Sequence, residues 1–177
     1  MRLYTTTLHT PIGPFSLVCD DDGVCAAGFT DRVEDLRIPG SDPAAVKHVP
    51  DLAEYSRAVT AYFDGHVSAT DDLHVTQRGS AFHLTAWQAL RQIRSGTPIS
   101  YHELAIRLHH PAASRAAGTA CGRNAVALIV PCHRVIRTDG RLGGYAWGIA
   151  RKQWLLDYEA QAAQPTVVLQ SAAPIYT

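Results

Sequence analysis

Short Thr-rich and apolar runs broken by turn residues mark residues 3–30 as strands, and apolar positions recur at helical spacing from residue 51 onward. Leu3 to His9, Phe15 to Cys19 and Val24 to Thr30 are predicted as strands. Pro11-Ile12-Gly13-Pro14 and Asp20-Asp21-Asp22-Gly23 supply the hairpin turns. Residues 39–50, with Pro39-Gly40, Pro43 and Pro50, read as a loop. Asp51 is placed to cap a helix whose Leu52, Tyr55, Val59 and Phe63 share a face, and Gly65 ends it. A short strand is expected around Leu73–Val75.

The texture changes at Ser80. Phe82, Ala86, Leu90 and Ile93, with Trp87 alongside, mark an amphipathic helix that stops near Gly96. Ser100-Tyr101-His102-Glu103 fits a capping box, in which Ser and Glu satisfy each other's exposed amides, and opens a helix to about His109. Pro111 suits the first turn of the next helix, Ala112 to about Gly122, and the pair makes a helix-turn-helix candidate. Seven of those eleven residues are Ala or Gly. They serve either close helix packing or a slim element that enters a groove with Arg115 as its one long side chain. Ala125 to Val130 reads as a buried strand leading into Pro131-Cys132-His133-Arg134-Val135. Asp139-Gly140 and Gly143-Gly144 mark a flexible loop through Gly148, and Ile149 to Ala162 a last helix. The pattern predicts an α+β fold: a small N-terminal sheet-and-helix domain over 1–77, a helical domain over 78–162 and a loosely held tail over 163–177.

The 177 residues, 46% hydrophobic, suffice for one ordinary domain or two small ones sharing an interface. No apolar run approaches the roughly 20 residues needed to span a bilayer, and the polar N-terminus lacks a signal-peptide core. A cytoplasmic protein is expected. The net charge is zero, but residues 1–77 hold 5 Lys/Arg against 12 Asp/Glu and residues 78–177 hold 11 against 4. The back half is therefore either a solvated basic surface or one built to meet a polyanion. The four cysteines, Cys19, Cys25, Cys121 and Cys132, form no CxxC pair and are expected as reduced thiols. His9, Cys19 and Cys25 could meet across a hairpin, but the spacing is nonstandard for a metal and no fourth ligand is evident. No metal is assigned.

Cys132, followed by His and Arg, is either a buried inert thiol or a nucleophile. The thiolate is the reactive form, and positive neighbours or a helix N-terminus would favour it. His133 could accept the proton directly or through one water. Such a base needs an orienting acid, for which Glu159 and Asp157 on the last helix compete.

Pro131-Cys132-His133-Arg134-Val135 resembles the active-site motif of the O6-alkylguanine-DNA alkyltransferases, suicide repair proteins that demethylate guanine O6. Ser100-Tyr101-His102-Glu103-Leu104-Ala105 is similar to the family's helix-turn-helix opening, which is winged-helix-like, and Arg115-Ala116-Ala117-Gly118 to its recognition helix. Asn124 stands eight residues before the cysteine, and Gly143-Gly144-Tyr145 and Leu155-Leu156 with Glu159 complete a match over about 80–160. The Thr10-Pro11-Ile12-Gly13 hairpin is similar but loosely specified.

The resemblance implies a reaction and its parts. Cys132 would take the alkyl group from O6 of guanine, and from O4 of thymine, in double-stranded DNA, once per molecule and without cofactor or metal. An adduct on O6 is reached by extruding the nucleotide, at a cost of a few kcal/mol of unstacking. Arg115 would fill the vacated stack, and Tyr101 would press the phosphate and donate toward the guanine. His102, His110 and Thr138 would lie near the DNA backbone. Asn124 would tie the helix-turn-helix to the active-site strand, His133 and Glu159 would activate the thiol, and backbone groups near Val135 and Tyr145 would read the base edge. A monomer is implied.

Two positions and one stretch depart from the pattern. Ala125 and Arg94 replace common prolines. Tyr145-Ala146-Trp147-Gly148, where many relatives carry small residues, looks closer to the C-terminal domain of bacterial Ada, and Trp147 is expected to overhang the pocket against bulky adducts such as benzyl. The competing readings are a non-catalytic lesion sensor, a winged-helix regulator and a Cys-His hydrolase. Sensors of this kind typically carry Trp where Cys132 stands, an Ala/Gly-rich helix has few base-reading side chains, and no oxyanion site can be placed for a hydrolase.

Overall fold

The computed structural model describes residues 2–163 apart from Pro39 and Ser41, so the expected tail beyond residue 163 lies outside the described residues. The chain opens with an antiparallel hairpin of β1 (Tyr4–Thr10) and β2 (Gly13–Cys19), followed by β3 (Val24–Gly28) antiparallel to β2. The Asp20 carboxylate accepts from the amides of Asp22 (3.0 Å) and Gly23 (2.9 Å), which closes the β2–β3 turn. This register places His9 opposite Pro14 and Cys19 opposite Tyr4, at the two ends of the hairpin. Cys19 and Cys25 enter separate hydrophobic clusters. The three side chains conceivable as metal ligands therefore do not converge, and no metal-ligand cluster occurs among the described residues.

The stretch expected as a loop contains a 3-10 turn, Pro43–Ala45, and a two-residue strand, β4 (Lys47–His48), parallel to β1 and completing the order β3-β2-β1-β4. Both β4 residues are exposed, so no hydrophobic alternation announces the strand. Helix α1 (Glu54–Phe63) begins after Ala53, and the Ser56 hydroxyl, not Asp51, takes the amide of Leu52 (2.9 Å). Its buried face is Ser56, Val59 and Tyr62. Of the strand expected near residue 75, a single bridge from Val75 to Val24 is present.

The second half is helical. The hydroxyl of Ser80 accepts from His83 N to cap α2 (Ala81–Arg91), which buries Ala86, Trp87 and Leu90. The Trp87 indole N–H donates to Ala120 O (2.9 Å), tying α2 to a later helix. A second, two-stranded sheet pairs β5 (Ile99–Ser100) with β6 (Val135–Ile136) in parallel, so the segment after Cys132 lies beside the start of α3 (Tyr101–Arg107). The capping box is complete: Glu103 N donates to Ser100 Oγ (3.0 Å) and Ser100 N to Glu103 Oε2 (2.7 Å). Pro111 lies in the following turn, and α4 (Ser114–Gly122) starts two residues later than expected. Helix α5 (Ile149–Ala162) closes the described chain.

Residues 126–130 are buried and Ala125 is half-buried, but the stretch does not form a strand. They make one bridge, Val126 to Ala27 on β3, and then fold back through a positive φ of 69° at Leu128. Their β-branched residues reflect burial rather than ladder pairing. One core cluster joins both halves, with Phe15, Leu17 and Val24 of the sheet packed together with Leu90, Leu104, Val126 and Leu155. No described helix is long and apolar enough to cross a membrane.

Candidate active site

Cys132 opens a 3-10 turn, Cys132–Arg134, rather than ending a strand. Asn124, just beyond α4, holds this turn from three sides: Nδ2 donates to Val130 O (2.7 Å) and to Cys132 Sγ (3.2 Å), and Oδ1 accepts from Val126 N (3.0 Å). Burial pushes the Cys132 thiol above its ordinary value, while the Asn124 hydrogen bond and the charge of Lys152 work in the opposite direction.

The next two side chains turn inward onto one carboxylate. His133 Nε2 lies 2.9 Å from Glu159 Oε1. Arg134 grips the same group through Nε (3.0 Å to Oε2) and Nη2 (2.9 Å to Oε1), and donates Nη1 to Ile93 O (2.6 Å). The Tyr62 hydroxyl of α1 adds a further donation to Glu159 Oε1 (2.7 Å). Burial alone would raise Glu159, but His133 and Arg134 outweigh it and hold the carboxyl well below the usual range. An ionised carboxylate only accepts, so Nε2 carries the proton that His133 donates. Burial also pushes His133 below its ordinary 6.5, with Glu159 opposing, so the ring is neutral at pH 7. Its Nδ1 is then a lone pair, and it is buried with no hydrogen-bond partner among the described residues. Asp157, the competing acid, is exposed and accepts from Gln153 (2.9 Å).

Lys152 is fully buried and donates to three carbonyls: Val135 (2.6 Å), Leu142 (2.6 Å) and Gly144 (3.2 Å). It thereby staples the loop after Cys132 to α5. With Leu155 and Glu159 it occupies one face of that helix.

Above the thiol is a cavity of about 290 Å³ whose wall includes Cys132, Cys121, Asn124, Tyr101, Tyr145, Ala146 and Trp147. Burial, followed by the neighbouring Cys121 and Cys132, pushes Tyr101 up to about 12, so its hydroxyl keeps its proton and can donate. The Tyr145 hydroxyl is buried without a partner among the described residues. Arg37, in the connection between β3 and β4, reaches the same wall and donates to Gly122 O (2.8 Å). Tyr101, Gly118 and Gly144 are shared with an open groove of about 650 Å³, which also holds His102, Arg115 and Thr138.

Two expected participants stand elsewhere. His110, in the turn between α3 and α4, is exposed outside the groove wall with its ring 6.2 Å from Phe82. Val135 is fully buried behind the cavity, its carbonyl taken by Lys152. No site role was expected from the sequence for Tyr62, Arg134, Lys152 or Arg37. Lys152 and Glu159 carried a signal, since they flank Leu155 at spacings that put all three on the apolar face of one helix.

Two family models cover most of the chain. Residues 3–76 match the 6-O-methylguanine DNA methyltransferase ribonuclease-like domain, and residues 81–161 match the DNA binding domain of the same family. The methylated-DNA--protein-cysteine methyltransferase of Salmonella typhimurium is 37% identical over 168 residues, covering 90% of this chain and 96% of the relative. The protein of that name from Mycobacterium bovis is 37% identical over 172 residues, covering 94% and 98%. Among solved structures, Mycobacterium tuberculosis OGT in complex with DNA superposes with a TM-score of 0.79 at 33% identity, covering 90% of this chain and 94% of that one.

Proposed function

This chain belongs to the methylated-DNA--protein-cysteine methyltransferase family, and from that footing we propose that it repairs DNA by moving a methyl or other alkyl group from O6 of guanine, and from O4 of thymine, onto Cys132. The observation that carries the reading is the thiol of Cys132 at the wall of a cavity, hydrogen-bonded by Asn124 and adjacent in the chain to a neutral histidine with a free Nδ1.

The chemistry follows from those groups. The Cys132 proton passes to His133 Nδ1, through a water because no direct hydrogen bond joins the two side chains. Sulfur attacks the alkyl carbon, the carbon–oxygen bond breaks, and its electron pair returns to the base oxygen. Tyr101 donates a hydrogen bond toward the guanine as charge develops, and the base leaves neutral by taking up one proton, balanced by the one Cys132 has given to His133. The thioether is a very poor leaving group, and one molecule acts once. Glu159 acts through His133 as a positioning residue that sets its tautomer. Asn124 and Lys152 favour the thiolate that burial opposes.

The target base reaches the cavity by rotating out of the duplex. The small residues of α4 let that helix, second of a helix-turn-helix with α3, approach the groove closely, and Arg115 fills the gap left in the stack. His102 and Thr138 in the open groove, and His110 in the exposed α3–α4 turn outside it, face the phosphates. Tyr145 and Ala146 flank the extruded base, and the Trp147 indole restricts adduct size. The protein works as a monomer in the cytoplasm on double-stranded DNA carrying the lesion.

The test is the intact mass of the protein after mixing with a duplex containing one O6-methylguanine. A gain of one methyl group per chain, lost in Cys132→Ser, is expected. Tight lesion binding with no mass gain would make the protein a lesion sensor instead.

A further inference from the structure

Gly28 ends β3 in the N-terminal sheet, and no positive φ explains a glycine there. Space does. A Cβ built on Gly28 would lie 2.6 Å from Cε2 and 2.5 Å from Cη2 of the Trp147 indole, and closer still to Cζ2. Carbon atoms in contact prefer about 3.5–4.0 Å, so an alanine in place of Gly28 could not coexist with the ring in its present position.

The backbone beneath the ring is pinned. Trp147 O accepts from Arg151 Nη1 (3.0 Å), and Gly148 N donates to Tyr145 O (3.1 Å). Arg151 is itself anchored to the hairpin, donating Nε to Ile12 O (2.9 Å) with its guanidinium over the Phe29 ring. An obstacle at residue 28 therefore displaces the indole by side-chain rotation. One side of the ring is occupied by the sheet. The other is the cavity that holds Cys132.

We propose that Gly28 is a specificity-determining residue: by parking the Trp147 indole against β3 it sets the width of the reactive cavity, although it belongs to the half of the chain that carries no reacting group. A side chain at this position swings the indole toward Cys132 and excludes alkyl groups larger than methyl. This rests on the alkyl-transfer reading above. It makes the N-terminal sheet a wall of the pocket at one remove.

The experiment compares transfer rates from duplexes carrying O6-methylguanine and O6-benzylguanine to the full chain. Gly28→Ala is expected to lower the benzyl-to-methyl rate ratio by about tenfold or more, the scale on which a pocket discriminates small steric differences. In the double variant Gly28→Ala/Trp147→Ala the ratio should return to that of Trp147→Ala alone. An unchanged ratio in folded Gly28→Ala overturns the proposal, as does an equal fall when the indole is absent. Should Gly28→Ala fail to fold, the comparison moves to the Trp147→Phe background, where the shorter ring needs a smaller displacement. There, equal ratios with and without the Gly28→Ala substitution overturn it. If the unaltered chain takes no alkyl group from either duplex, the alkyl-transfer reading fails instead, and the two failures are distinct.

Discussion

Cys132 and the two cysteines of the N-terminal sheet are almost equally hidden, at 8% exposure against 4% for Cys19 and 7% for Cys25. Burial raises all three thiols. What separates them is the company each keeps. Cys19, pushed up to about 12, is raised by burial first and then by Cys25, Asp20 and Glu54. Cys25, at about 11, is raised by burial and Asp20, and its thiol spends its proton on Val18 O. Cys132 instead has an amide donor in Asn124, a buried cation in Lys152, and a neighbouring imidazole with an unused lone pair. On the proposed reading, a reactive thiol is made by the donors and the base around it, not by access to solvent. The same contrast runs through the whole chain, acidic in its front half and basic in its back half.

The largest break in that contrast comes from removing Glu159. Arg134, 1% exposed, would lose its carboxylate partner, and breaking a buried pair from one side costs about 3–5 kcal/mol. Glu159→Ala should therefore lower the denaturant midpoint sharply. A midpoint within error of the unaltered protein would show that the network does not hold the site together. His133→Asn comes next: it removes the proposed base, so single-turnover transfer by the folded variant should slow about 10²- to 10⁴-fold with duplex binding intact.

The pH profile sharpens the point. His133 binds its proton less readily folded than unfolded, so the unfolded chain holds more protons just below pH 6.5 and stability rises with pH through that window. Acidification below about 6.5 should lower the melting temperature, with a further loss as Glu159 titrates at lower pH. His133→Asn should abolish the first step. A first step that survives the substitution would assign it to another group. The smallest effect is expected at the opposite pole of the comparison: Cys19→Ala should leave the transfer rate unchanged and cost about 1–2 kcal/mol of stability.

Much of this was legible in the chain because local chemistry dictated it. The Ser100–Glu103 capping box, the Asp20–Gly23 turn and the helical stripe of α2 are short-range patterns, and each is present as read. Elements that exist only through tertiary pairing were not legible. β4 is two exposed residues held by β1, and residues 125–130 look like a strand because burial selects the same side chains that strands do. At the site, Cys132, His133 and Asn124 stood close in sequence, and Glu159 was one of two candidates. Tyr62 and Arg37 stand 97 and 85 residues from their partners Glu159 and Gly122, and reach the site only because the sheet half packs against the helical half. Gly28 was invisible for the same reason: its constraint is Trp147, distant in sequence but packed against it in the fold.

The most direct test of the claim that surroundings select the acceptor is to map the methyl group by peptide mass after reaction with O6-methylguanine duplex. The account predicts S-methylcysteine at Cys132 alone, with Cys19, Cys25 and Cys121 unmodified. Methyl groups distributed over several cysteines, or placed on one of the other three, would contradict it.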